Sequence, residues 1–250
     1  MSGLKRLLTT TLLSGALLAG SAHAGGLHHE IEKAHGGAAW NAQQALQADI
    51  VVEFGGRRMI DGRLTMDTPG GKTRFDLKDG TVLVFDGEQA YKAPASSAFQ
   101  GTRFHVLTWS YFLAAPMKLD DAGSSFEELG SRPFEAGRSL DAGRLTFGDG
   151  VGDSPDDWYV VYADDSRQLA GMAYIVTFGK DLAEANKDPH AVIYRKYEEV
   201  DGVRLSTRWQ FYNWSEDKGA HGDPIGEVTL ANLSFVTPDK STFKAPAGAE

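Results

Sequence analysis

The spacing of apolar positions changes period once along this chain, from that of a helix to that of a strand. Between His28 and Leu46 there is no proline. Ile31, Ala34, Ala38, Ala42, Ala45 and Leu46 recur there at three- and four-residue steps, the pattern of a helix with one buried face. Gly36-Gly37 predicts a break within it. From Asp49 onward the period is two. Ile50, Val52 and Phe54 alternate with Asp49, Val51 and Glu53; Leu64 and Met66 with Arg63, Thr65 and Asp67; Phe75 and Leu77 with Arg74 and Asp76. Val203, Leu205, Thr207, Trp209 and Phe211 alternate in the same way with Arg204, Ser206, Arg208 and Gln210. Each set describes a strand with one face in a core. The strand Trp158 to Ala163 differs. Trp158, Val160 and Tyr162 point one way and Tyr159 and Val161 the other, so it belongs mid-sheet with cover on both sides.

Asp-Gly pairs punctuate these runs at Asp61-Gly62, Asp79-Gly80, Asp86-Gly87, Asp149-Gly150 and Asp201-Gly202. Between alternating segments such pairs predict hairpin turns and therefore antiparallel neighbours. About ten strands are expected, too many and too evenly spaced for alternating β and α units. Phe104 to Leu119 is apolar nearly all round and predicts a helix ending near Pro116. Asp181 to Pro189 reads as a surface loop or short helix, and Gly148 to Asp157 and Ser215 to Pro224 as turn-rich loops. Residues 25–250 hold no internal repeat and no domain linker, so one domain is expected there.

The first 24 residues have a different character. Lys5 and Arg6 precede a short apolar run from Leu7 to Gly20, and Ala22-His23-Ala24 is an A-x-A cleavage signature. This predicts a secretory signal peptide over residues 1–24, cut near Ala24, and too short to span a membrane. A periplasmic or secreted, soluble product is the expectation. The chain has no cysteine, which excludes both a lipidated cysteine and a disulfide. With 25 basic and 34 acidic residues the net charge is −9, and removal of Lys5 and Arg6 makes it −11. That balance argues against nucleic acid as a partner. No stretch after residue 24 is long and apolar enough for a transmembrane segment.

The stretch from Gly62 to Tyr91 resembles the LolA/LolB-like superfamily of periplasmic lipoprotein carriers and outer-membrane lipoprotein-sorting proteins. Gly62 and Leu64 form its Gly-x-Leu strand, followed by Pro69 and the Arg74-Phe75 strand. Val82-Leu83-Val84 then closes on Asp86-Gly87, with Tyr91 beyond. The resemblance implies a strongly curved antiparallel half-barrel with an N-terminal helix and a lid or plug helix over its concave, apolar face. The sequence departs from the carrier at Thr68, where the carrier has a lid-closing arginine.

Candidate chemistry is sparse. His28, His29, Glu30 and His35 are the densest set of metal-ligand types, and His28 and His35, two turns apart, could share a helix face. They do not form H-E-x-x-H, and no metal or other cofactor is expected. Asp149, Asp153, Asp156 and Asp157 lack calcium-loop spacing. There is no cysteine nucleophile and no G-x-S-x-G elbow, which leaves His105 and His190 as isolated candidate bases. Aromatic residues are the stronger signal. The expected ligand cavity is lined by Val52, Phe54, Leu64, Met66, Phe75 and Val84 from the early strands. Trp109, Phe112, Trp158, Tyr174 and Trp209 complete it. Three readings stand: a carrier of a hydrophobic small molecule, lipid or acylated protein; an interaction protein whose cavity its own helix fills; and a hydrolase or metal-dependent enzyme on the same scaffold.

Overall fold

A computed structural model describes residues 25–69 and 71–250, so the expected signal peptide lies outside the described residues. The chain opens with α1 (Leu27–Ala34) and α2 (Gly37–Asn41), then β1 (Ala45–Phe54), β2 (Arg57–Asp67), β3 (Thr73–Leu77), β4 (Val82–Phe85) and β5 (Ala90–Ala93). Helix α3 (Thr102–Ala114) continues into a 3-10 turn, Ala115–Met117. β6 (Ser124–Glu135), β7 (Arg138–Phe147), β8 (Tyr159–Ala163) and β9 (Leu169–Tyr174) follow. After α4 (Leu182–Ala185) come β10 (His190–Tyr194), β11 (Tyr197–Val200), β12 (Val203–Ser206), β13 (Arg208–Ser215) and β14 (Gly219–Val236).

Twelve strands form one mainly antiparallel, curved sheet, and β11 and β12 form a separate ribbon. Antiparallel pairing runs from β5 through β4, β3, β2, β1, β14, β13, β10, β9, β8 and β7 to β6. A single parallel bridge, Ala220 to Glu135, brings β6 back to the start of β14. Arg195 reinforces that closure with a bidentate pair to Glu135, 2.9 and 2.7 Å. The outer edge of β5 is protected, because Lys92 and Glu250 exchange backbone hydrogen bonds of 3.0 and 3.1 Å.

The main core lies inside the curve, where α1, α2 and α3 pack against the inner faces of the strands. A second cluster of Phe134, Leu140, Tyr162, Ile193 and Trp214 covers the outside of β8. All five residues of β8 are buried, as its two apolar faces predict. Trp214 Nε1–H donates to the Tyr162 hydroxyl at 3.1 Å, which pins the β13–β14 hairpin over that outer face.

Four sequence expectations are corrected. The helical period ends at Asn41, and Ala45 and Leu46 belong to β1; alanines fit either period. Gly36 does make the break, in the left-handed conformation. Asp61-Gly62 is not a turn but lies inside β2. The Val203–Phe211 run is cut at Thr207, where the chain leaves the β11–β12 ribbon and joins the main sheet. Ser215 to Pro224 is not a loop: Ser215 ends β13, a turn spans 216–218, and Gly219 already opens the 18-residue β14. The strand total among the described residues is fourteen rather than about ten.

Candidate functional site

Helix α3 sits on β3, β4 and β5, and beside it a half-open cavity of about 820 Å3 remains between helix and sheet. That volume falls within the range of small-molecule sites, roughly 300–1,000 Å3. The helix is apolar nearly all round because it serves two apolar surroundings. Val106, Leu113 and Ala114 are buried in the core, while Phe104, Leu107 and Tyr111 are among the residues on the cavity wall. Pro116 in the following turn ends the helix.

The polar groups on the wall are few and mostly partnered. Trp109 Nε1–H donates to His105 Nδ1 at 2.9 Å, so the His105 proton sits on Nε2. Burial pushes the His105 pKa down to about 4, which keeps the ring neutral. Tyr111 packs its ring 5.4 Å from that of Tyr159, and Tyr159 lies 6.4 Å from Tyr174. Burial raises the pKa of all three phenols, so they remain protonated donors. The Tyr111 hydroxyl is buried and has no hydrogen-bond partner. Asp157 Oδ1 accepts from the backbone N–H and the hydroxyl of Thr177, both at 2.7 Å. Burial raises its pKa against the effect of those bonds.

At the mouth, Arg103 at the start of α3 pairs with Asp153 of the 148–157 loop, with Nη2 to Oδ1 at 2.7 Å. Its Nη1–H donates to the Glu88 carbonyl at 2.9 Å, and its guanidinium lies 5.2 Å from the Phe85 ring centroid. Lys118 pairs with Asp121 at 3.2 Å. Met59 and Phe178, two of the three large hydrophobic side chains exposed among the described residues, also border the cavity.

Of the eleven positions expected from sequence, Phe54, Met66, Trp109, Phe112 and Tyr174 line this cavity. Val52, Leu64, Phe75 and Trp209 face the same side but are sealed in the core by the protein's own side chains. Val84 and Trp158 face the other way. Leu83 and Phe85 are the inward residues of β4, and Val84 stands opposite Arg74 and Tyr91. Trp158 lies under the Arg144 guanidinium at 4.2 Å, and its Nε1–H donates to Asn186 Oδ1 at 2.9 Å. The turn-rich 148–157 loop was not expected at the cavity, because only the tertiary fold carries Val151 and Asp153 to α3. Phe104 carried an apolar signal in the sequence, but nothing there fixed its direction.

The remaining candidates disperse. His28 and His29 come within 4.8 Å of Asp120 through their ligand atoms, while His35 is elsewhere and buried. Its Nδ1–H donates to the Arg204 carbonyl at 2.6 Å, and its Nε2 accepts from Leu169 N–H at 2.9 Å. Asp153 and Asp157 are held apart by their separate partners, Arg103 and Thr177. His190 borders the cavity with Nε2 3.7 Å from Asp188. Thr68 donates its hydroxyl to the Gln43 carbonyl at 2.5 Å, tying the end of β2 to the segment after α2.

No protein-family model and no curated protein matches the chain. Among solved structures, a DUF1329 family protein from Desulfovibrio piger is similar, with a TM-score of 0.52 and 10% identity over 87% of this chain and 95% of that one. A LolA superfamily protein from Nitrosomonas europaea has a TM-score of 0.48 and 10% identity, covering 88% of this chain and 98% of that one. The likeness is one of fold. The mainly β half-barrel that the Gly62–Tyr91 pattern implied is the architecture observed. No helix among the described residues is long and apolar enough to cross a membrane.

Proposed function

We propose that this protein binds a hydrophobic ligand, a lipid or the acyl chains of a modified protein, in the cavity beside α3 and carries it through the periplasm. The observation behind this reading is the cavity itself: about 820 Å3 bordered by Phe54, Met66, Trp109, Phe112 and Tyr174 and left unfilled by the chain. Apolar walls in contact with water gain roughly 25 cal/mol per Å2 when a ligand covers them. An acyl chain gains about 0.8 kcal/mol per methylene on entering. Exposed Met59 and Phe178 at the mouth give such a chain an apolar path inward.

Native mass spectrometry of protein purified from periplasm, followed by organic extraction, tests the reading. Near-stoichiometric acyl lipid is expected. Thr108, on the wall and half-buried, provides a filling variant: Thr108→Trp should lose most of the bound lipid with its melting temperature preserved. Wild-type protein that neither retains lipid nor takes up an added fluorescent acyl probe would show that the cavity is not a ligand site.

A further inference from the structure

We propose that His28, His29 and Asp120 form a zinc site that ties the first turn of α1 to the segment following α3. The site is separate from the cavity, and the carrier reading does not depend on it.

Among the described residues this is the one place where three metal-ligating side chains meet. One ligand atom from each lies within 4.8 Å of those of the other two. The fold brings them together from far apart in the chain. α1 packs along the 3-10 turn 115–117, Leu119 is anchored in the core, and Asp120 follows it onto the surface. His28 and His29 are neighbours in the first turn of α1, with ring centroids 4.1 Å apart, and the Phe126 ring braces His28 at 4.8 Å. Leu27 N–H donates to Glu128 Oε1 at 2.8 Å, which holds this turn on β6. The histidine pattern in the sequence set His28 beside His35. Both ring nitrogens of His35 are occupied, by Arg204 and Leu169, and Asp120 takes its place.

Two imidazoles and one carboxylate are a donor set with which three-ligand zinc centres hold the ion, the fourth tetrahedral position being left to water. Zinc bonds of roughly 2.0–2.2 Å set the donor atoms about 3.4 Å apart. His29 and Asp120 are exposed and free to turn inward. None of the three side chains makes a hydrogen bond or ion pair with another described residue. The chain has no cysteine, so no thiolate competes for the ion. His28 Nδ1 is buried without a partner, which leaves Nε2 to the metal. A Cβ on Gly26 would stand 3.0 Å from that Nδ1 and 3.1 Å from Glu128 Oε1. Glu128 thus borders the space into which a metal-bound His28 would point its remaining N–H, as the outer partner of a zinc histidine does. One carboxylate leaves the ion a net positive charge, and the negative charges of Glu32 and Glu128, which reach His28, offset it. Asp120 precedes Asp121, which with Lys118 borders the cavity, so a filled site also restrains that part of the wall.

The test is Zn2+ binding to protein without an affinity tag, measured by competition with a chromophoric chelator. One ion per chain with a micromolar or lower Kd is expected. His29→Ala and Asp120→Ala change exposed side chains, so the fold should survive, and each should weaken binding roughly tenfold or more. His221→Ala, outside the site, should leave binding unchanged. Zn2+ should slow hydrogen exchange across α1 and residues 118–123 together in wild type, and in neither site variant. Absence of binding at submillimolar Zn2+, or one-to-one binding untouched by His29→Ala or by Asp120→Ala, would overturn the proposal. Slowing confined to α1 would overturn the tie to Asp120.

Discussion

At the scale of single residues, His35 does the most to join distant parts of the chain. One imidazole links the end of α1 to Leu169 at the start of β9 and to Arg204 in β12, with 1% of its surface exposed. Both bonds require the neutral ring with its proton on Nδ1. Burial accordingly pushes the pKa down to about 4 from an ordinary 6.5. Between those values the unfolded chain binds a proton that the folded one refuses, so stability must rise with pH across that window. The contribution is fully present above pH 6.5 and lost as pH falls toward 4. Its size is about 3 kcal/mol, taken from a shift of that order at 1.36 kcal/mol per pH unit. His35→Ala should cost roughly 2–4 kcal/mol at pH 7, because it strands a buried donor and a carbonyl. It should also flatten the fall in the urea midpoint between pH 6.5 and 4 relative to wild type. A variant that lost stability equally at both ends of that window would show that burial, not protonation, sets the role of His35.

At the scale of elements, the strands were legible wherever one face is polar. β1 and β3 alternate in burial because solvent reads one side and the core the other. Parity fails when both faces are buried: Val82-Leu83-Val84 is uniformly apolar, and only its pairing shows Leu83 opposite Phe75 and therefore inward. The cavity was legible only in part. Alternation says which face a residue occupies, not whether the protein fills the space above it, so sealed Leu64 and cavity-lining Met66 share one pattern. Asp61-Gly62 failed for another reason, since Gly62 is needed for close approach rather than for a turn. A Cβ there would stand 2.8 Å from the Leu77 Cα and closer still to the Asp76 carbonyl. All three obstructing atoms are backbone of β3, so there is no side chain to move aside. Gly62→Ala should therefore separate β2 from β3 and cost about 1–3 kcal/mol, as overpacking does. Chemical denaturation would measure that loss, and hydrogen exchange would confine it to β2–β5. Wild-type stability in this variant would mean that the two strands have room to part.

At the scale of the whole molecule, the question is what holds the mouth of the cavity in place. Thr68 is committed to Gln43, and Arg103 supplies a different connection. It fastens the first turn of α3 to the 148–157 loop through Asp153 and to the β4–β5 turn through the Glu88 carbonyl. The two side chains are 37% and 25% exposed, so the ion pair alone contributes little, about 0–1 kcal/mol, and salt weakens it. The backbone bond and the contact with Phe85 add to it, and all three act on the same helix end. The rest of α3 rests on β3, β4 and β5 and does not depend on Arg103. Arg103→Ala should thus leave global stability within about 1 kcal/mol while loosening the first turn of α3 and the 148–157 loop together. Hydrogen exchange should quicken at both, about fivefold for each kcal/mol of local stability lost. About 0.5 M salt should reproduce part of the effect in wild type and none of it in the variant. Faster exchange in the loop alone would place the moving part in the 148–157 segment, with α3 a fixed wall.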